Sequence, residues 1–170
     1  MTMPAEKPLA TPGRLRLALI VLAAIESAAA LSGLPGIFYE FNPTTPIGKF
    51  AQALTSIDLA LAPVFALTAL YFAAAGHLRY ALMAIAIRIL VSWASDLPSI
   101  AIHGLELSTN LGGLHVFAAR FLAPVIALSA LRFAFRNEHL WIATILVALP
   151  TIAKWAGVLA FAIGVVIYGF

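Results

Sequence analysis

The stretch IRILVSWASDLPSIAIHG, residues 87–104, decides the fold. Most of it would suit the interior of a lipid bilayer, yet it carries Arg88, Asp96 and His103. Ionisable side chains are costly in hydrocarbon, so in membrane helices they face the bundle interior or a water-filled cavity. Arg88, Ser92, Asp96, Ser99 and His103 follow steps of four, four, three and four, which places them on one helix face. The segment therefore reads as one wall of a polar centre inside a multi-pass protein.

The rest of the chain agrees. Of its 170 residues, 63% are hydrophobic and 10% charged, against roughly a quarter charged in soluble domains. A soluble domain of this size could not cover so much apolar surface. The fold class expected is all-α: a polytopic membrane helical bundle in a single transmembrane domain, 17–170, behind a polar tail, 1–16. A spanning helix needs about 20 mostly apolar residues. Five segments qualify: 17–38, 51–75, 80–103, 113–135 and 140–169. They are too long and too continuously apolar for barrel strands, which alternate. The connections between them are short, so consecutive helices should be antiparallel neighbours.

Lysine and arginine fix the expected orientation through the positive-inside rule. Lys7, Arg14, Arg16, Arg79, Arg132 and Arg136 fall on one side of such a bundle, and only Lys49 on the other. That predicts a cytoplasmic N-terminus and an external C-terminus. Tyr39, Phe41, Tyr80, Trp141 and Tyr168 lie near segment ends, where aromatic side chains anchor at the interface. Residues 1–30 also resemble a cleavable signal peptide, with basic residues, a short apolar run and Ala28-Ala29-Ala30. The apolar stretch continues through Leu34 and Phe38, which favours an uncleaved first span. The expected location is the cell membrane. Arginine in preference to lysine and abundant alanine fit a bacterial source, hence the inner membrane.

Six ionisable residues within the spans can be sorted by depth at 1.5 Å per residue. Asp58, Asp96 and Arg120 each lie seven residues from the outer end of their segment, and Glu26, Arg88 and Lys154 lie near mid-membrane. Two polar layers are expected: an outer one of Asp58, Asp96 and Arg120, and a middle one of Glu26, Arg88 and Lys154. Arg88 and Asp96 are about 12 Å apart along their helix, so their partners should come from other helices. Segments two to five carry one proline each: Pro63, Pro98, Pro124 and Pro150. Each frees the carbonyl four residues earlier, and each lies within five residues of a buried charge. These are expected helix kinks around a hydrated centre, because a freed carbonyl in lipid needs another partner or a water-lined cavity.

Other chemistry is thinly represented. The chain has no cysteine, which excludes disulfides, thiolate metal sites and a cysteine nucleophile. It has no phosphate loop, nucleophile elbow, dinucleotide fingerprint or H-E-x-x-H zinc motif. No catalytic residue, no metal and no resident cofactor is expected. His103 and His115 flank one outer connection and are the weak ligand candidates; haem is the cofactor they leave open. His77 and His139 lie at the opposite turns. The formal charge of +3 is accounted for by topology, so no nucleic-acid partner is expected. Ala156, Ala160 and Gly164 form a small-residue ridge, as do Ala29 and Gly33. Such ridges allow close helix packing within a protein or against another subunit. The expected partners are the lipid bilayer and other membrane subunits or a second copy. The expected function is a non-catalytic accessory or assembly subunit of a larger membrane complex. The alternative is a small transporter or proton/ion pathway that uses the buried charges.

Overall fold

The structure, a computed structural model, describes residues 12–38, 45–103 and 111–169; at 12, 99, 102, 103, 111–120 and 168 that description is of the backbone. Six helices follow one another: α1 Pro12–Gly33, α2 Pro46–Ala74, α3 Leu78–Ser95, α4 Leu97–His103, α5 Leu111–Arg136 and α6 Leu140–Tyr168. A 3-10 turn, Leu34–Phe38, extends α1. Among the described residues, four helices are long and apolar enough to cross a membrane: α1 with its extension, α2, α3 and α6. The chain is thus a membrane-associated helical bundle. The helix α5, 26 residues long, runs beside α3 and α6.

Helix boundaries depart from the sequence expectation where local capping decides them. The second helix starts at Pro46, not 51. Thr45 is its N-cap, with Oγ1 accepting from Gly48 N at 3.2 Å, and Pro46 occupies the first turn. Threonine at the cap and proline just inside it begin a helix, although Pro46 and Gly48 also carry turn signals. Likewise α1 starts at Pro12, so Arg14 and Arg16 belong to its first turns. The expected third segment, 80–103, is broken. The helix α3 ends at Ser95, Asp96 forms the turn, and α4 restarts at Leu97. Pro98 cannot donate to the carbonyl of Ala94, and as the second residue of α4 it needs no helical partner. By contrast Pro63, Pro124 and Pro150 sit inside unbroken helices.

The helix α3 is central and packs on α1, α2, α5 and α6. Arg16 of α1 donates through Nη2 to the carbonyl oxygen of Ala74, the last residue of α2. This satisfies a carbonyl at a helix C-terminus with a cation, the favourable pairing. It also places the start of α1 beside the end of α2. Leu82 and Ala81 of α3 share a buried cluster with Ala130 and Ala134 of α5 and Ala143 of α6. The starts of α1, α3 and α6 and the ends of α2 and α5 therefore lie at one end. That end carries Arg14, Arg16, Arg79, Arg132 and Arg136 and is called here the basic end. Tyr80 and Trp141 are exposed there, and Arg79 lies 5.0 Å over the Tyr80 ring.

Helix interiors face each other through alanine. Ala62, Ala66, Ala69 and Ala73 of α2 are buried at steps of four, three and four, and Ala127, Ala130 and Ala134 of α5 follow the same rule. The largest side chains fully buried are Leu19, Leu82 and Val147. Leucine, phenylalanine and isoleucine mostly point outward instead, as in Phe121, Leu128 and Phe135 of α5. Lipid is as apolar as a leucine side chain, so association rests on close packing of small residues. Two buried hydroxyls are satisfied within their own helices: Ser27 Oγ donates to Ala23 O at 2.7 Å, and Thr144 Oγ1 to Leu140 O at 2.8 Å. At the α1–α2 crossing, a Cβ on Gly36 would lie 3.3 Å from Leu59 Cδ1.

Candidate functional site

A charged centre forms where α1, α3 and α6 meet. Arg88 of α3 donates through Nη1 to Glu26 Oε2 of α1, an ion pair. Glu26 Oε1 accepts from Thr151 Oγ1 of α6 at 2.5 Å. Both carboxylate oxygens are thus engaged, and Glu26 is buried at 7% exposure. Charge-assisted bonds of this kind are roughly twice as strong as neutral ones. One carboxylate ties three helices together at mid-bundle. The aligned dipoles of helices do not help here, since all three residues lie well inside their helices; the attraction is between side chains.

Asp58 of α2 meets the same face of α3. Ser92 hydrogen-bonds its side chain, and Arg88 and Asp96 lie within electrostatic reach. Its Oδ1 is buried without a hydrogen-bond partner among the described residues, as is Arg88 Nε. Asp96 itself occupies the C-cap of α3, with its N–H donating to Trp93 O at 3.1 Å. Its backbone stays helical, φ −82° and ψ −13°, and Ile100 N donates to its carbonyl at 3.1 Å, so the interruption is one residue long.

Beside these residues α3 borders a partly open cavity of about 470 Å³. Arg88, Ser92 and Asp96 of α3, Glu26 of α1, and Thr151 and Lys154 of α6 give it polar walls. Ile89, Trp93, Leu122 and Ile126 supply apolar ones, and Pro150 also lines it. The i, i+4, i+8 spacing of Arg88, Ser92 and Asp96 does bring the three to one cavity. Ser99 and His103, the rest of that stripe, lie beyond the break, outside the described side chains.

The expected residues are distributed as follows. Glu26 and Arg88 meet directly, and Lys154 lies on the same cavity wall, three residues beyond Thr151. Asp58 and Asp96 are neighbours. The side chain of Arg120, expected beside them, lies outside the described residues. Arg88 pairs with Glu26 and also lies within electrostatic reach of Asp58. His115 and His103 fall on α5 and α4 at positions whose side chains are outside the description. His77 and His139 are at the turns of the basic end, where His77 packs edge-on to Phe72 and His139 edge-on to Phe133.

Thr151 was not foreseen. Its signal was its place on the Lys154 face of α6, but a lone threonine in an apolar run has many neutral readings. The ridges also separate. Gly33 packs inside the molecule, its Cβ position 3.6 Å from Leu59, whereas Ala156 and Ala160 are exposed and nothing lies within 4 Å of a Cβ on Gly164. No family model matches the chain, and no curated protein or solved structure matches it either.

Proposed function

We propose that this chain is a small carrier in the cell membrane that moves a proton or small cation through its central cavity. The chain crosses the membrane five times, basic end in the cytoplasm and C-terminus outside. The observation that carries this reading is the break of α3 at Asp96, on the wall of a cavity of about 470 Å³. Helix ends within a membrane are tolerated where they line a cavity. In carriers, the C-terminal ends of interrupted helices coordinate cations. Here the interruption, with the Ala94 carbonyl that Pro98 cannot engage, lies beside Asp96, Ser92 and Asp58. Asp96 takes the cation, Asp58 shares its charge through Ser92, and the Glu26–Arg88 pair is a fixed wall.

The test is flux through purified protein in sealed vesicles, read with a pH-sensitive dye and with cation-selective electrodes. The native sequence should carry one of these ions, and Asp96→Asn should lower its flux at least about tenfold, the scale of a lost charged contact, with the amount of folded protein unchanged. Flux preserved in Asp96→Asn removes the residue from the mechanism, and absence of flux in the native sequence removes the carrier reading.

A second reading, an accessory subunit of a larger membrane complex, is favoured by the far half of α6. From Ile152 to Ala162 every residue is exposed, on all faces of the helix. A stoichiometric partner recovered with the protein from native membrane would support that reading, and the buried charges would then serve assembly and register.

A further inference from the structure

Where α6 leaves the bundle it opens a second concavity, on the membrane-facing side between α1 and α6, with a volume of about 750 Å³. Leu17, Val21 and Ile25 of α1 and Ile152, Trp155 and Leu159 of α6 form its walls. All six are at least 39% exposed. We propose that this groove binds one anionic phospholipid, with an acyl chain along the two helices and the phosphate at Arg14.

Bare apolar helix is ordinary in a membrane; three features make this a site. The first is shape, since two helices flank the chain where a lone helix offers one convex side. The second is charge placement. Arg14 is exposed at the basic end of the groove and is the one charged residue lining it. Its neighbour Arg16 is committed to the carbonyl of Ala74, and the hydroxyl of Thr151 is committed to Glu26. Beyond Arg14 the groove therefore presents a continuous apolar track. The third is length. The α1 wall runs from Arg14 to Ile25, which is about 16 Å at 1.5 Å per residue. That is one leaflet of a hydrocarbon core about 30 Å thick. A single cation at the interface and an apolar track one leaflet deep match a headgroup phosphate with its chain. A helix from a second copy would cover the track but leave Arg14 without a counter-charge.

Trp155 lies in the groove and is a built-in reporter. The chain has three tryptophans, so Trp93→Phe with Trp141→Phe isolates it. The protein is reconstituted in phosphatidylcholine vesicles containing a small fraction of lipid brominated on its acyl chains, either phosphatidylglycerol or phosphatidylcholine. Brominated phosphatidylglycerol should quench Trp155 at about fivefold lower mole fraction, the preference that one basic residue gives near the surface. Arg14→Gln should make the two curves coincide, and Arg14→Lys should keep most of the separation. Identical curves for both lipids in the parent, or a separation that survives Arg14→Gln, overturn the site. Trp155 shielded from both lipids, in a particle of dimeric size, assigns the groove to a second copy and also overturns it. Should the tryptophan substitutions disturb folding, native mass spectrometry of the unaltered chain and of Arg14→Gln gives the same comparison, as bound phosphatidylglycerol retained or lost.

Discussion

The two ends of this bundle are built differently. Toward the basic end, Leu19, Leu82 and Val147 are fully buried among alanines from α1, α2, α3, α5 and α6 in one continuous cluster. Toward the far end, the buried cluster among the described residues is Ala30, Ala62 and Ala66. There α3 is interrupted, a cavity opens, and α6 stands clear of its neighbours. The seam between them is the carboxylate of Glu26, held by Arg88 and Thr151. The contrast teaches where a chain of this size keeps its rigidity. Helix contact in a membrane depends on small residues brought close, so the half rich in facing alanines is the half that holds the fold.

The seam offers the largest effect. Glu26→Ala removes the acceptor of both Arg88 and Thr151 and leaves a cation buried in mid-bundle. Removing one partner of a buried pair costs about 3–5 kcal/mol. The check is thermal or denaturant unfolding in micelles, beside the double variant Glu26→Gln with Arg88→Gln. The double variant should recover part of the loss, since no unpaired cation remains, while Asp58 gives up the attraction of Arg88. A Glu26→Ala protein as stable as the parent would mean that the two halves are not joined at this point.

The comparison itself is tested by truncating one large side chain in each half. Leu82→Ala, in the closed cluster, should cost about 2–5 kcal/mol through lost contact and residual cavity. Phe161→Ala, on the bare part of α6, removes a side chain that is 74% exposed and should change stability by about 0.5 kcal/mol or less. Equal losses would show that the far half of α6 is packed against something in the unfolding assay, which is what the accessory-subunit reading requires.

How much of this was legible in the sequence follows the same division. The helical class, the apolar segments and the basic side all come from properties that accumulate along the chain: composition, length and charge placement. The Glu26–Arg88 meeting followed from depth, because equal distance along two neighbouring helices is nearly a contact. What escaped was set by single residues with several meanings. Four prolines look alike in sequence, yet only Pro98 stands where a helix can restart at Leu97, so only the third segment broke. Thr45 and Pro46 had the composition of a loop and formed a cap. The bare face of α6 was beyond sequence, since an apolar helix looks the same whether protein or lipid surrounds it.

The smallest expected effect lies at the basic end, in the turn from α5 to α6. Asn137 and His139 both adopt positive φ, 54° and 47°, and His139 at φ 47°, ψ 42° is the N-cap of α6 without a side-chain cap bond. Asparagine tolerates the left-handed region, but for most residues with a Cβ it costs roughly 1–2 kcal/mol. His139→Gly relieves that strain. It also gives up the edge contact with Phe133, at 6.0 Å between ring centroids, and adds backbone freedom to the unfolded chain, a loss of about 0.4–1 kcal/mol. The net gain expected is about 0.5 kcal/mol, seen as a small rise in melting temperature. The sign matters more than the size. A gain shows that the closed half tolerates a strained turn because its alanine contacts overdetermine the geometry. A loss greater than about 1 kcal/mol would mean that the His139 ring contributes more than a turn position does, and the rigidity of the basic end would then rest partly on its aromatic histidine contacts rather than on alanine packing alone.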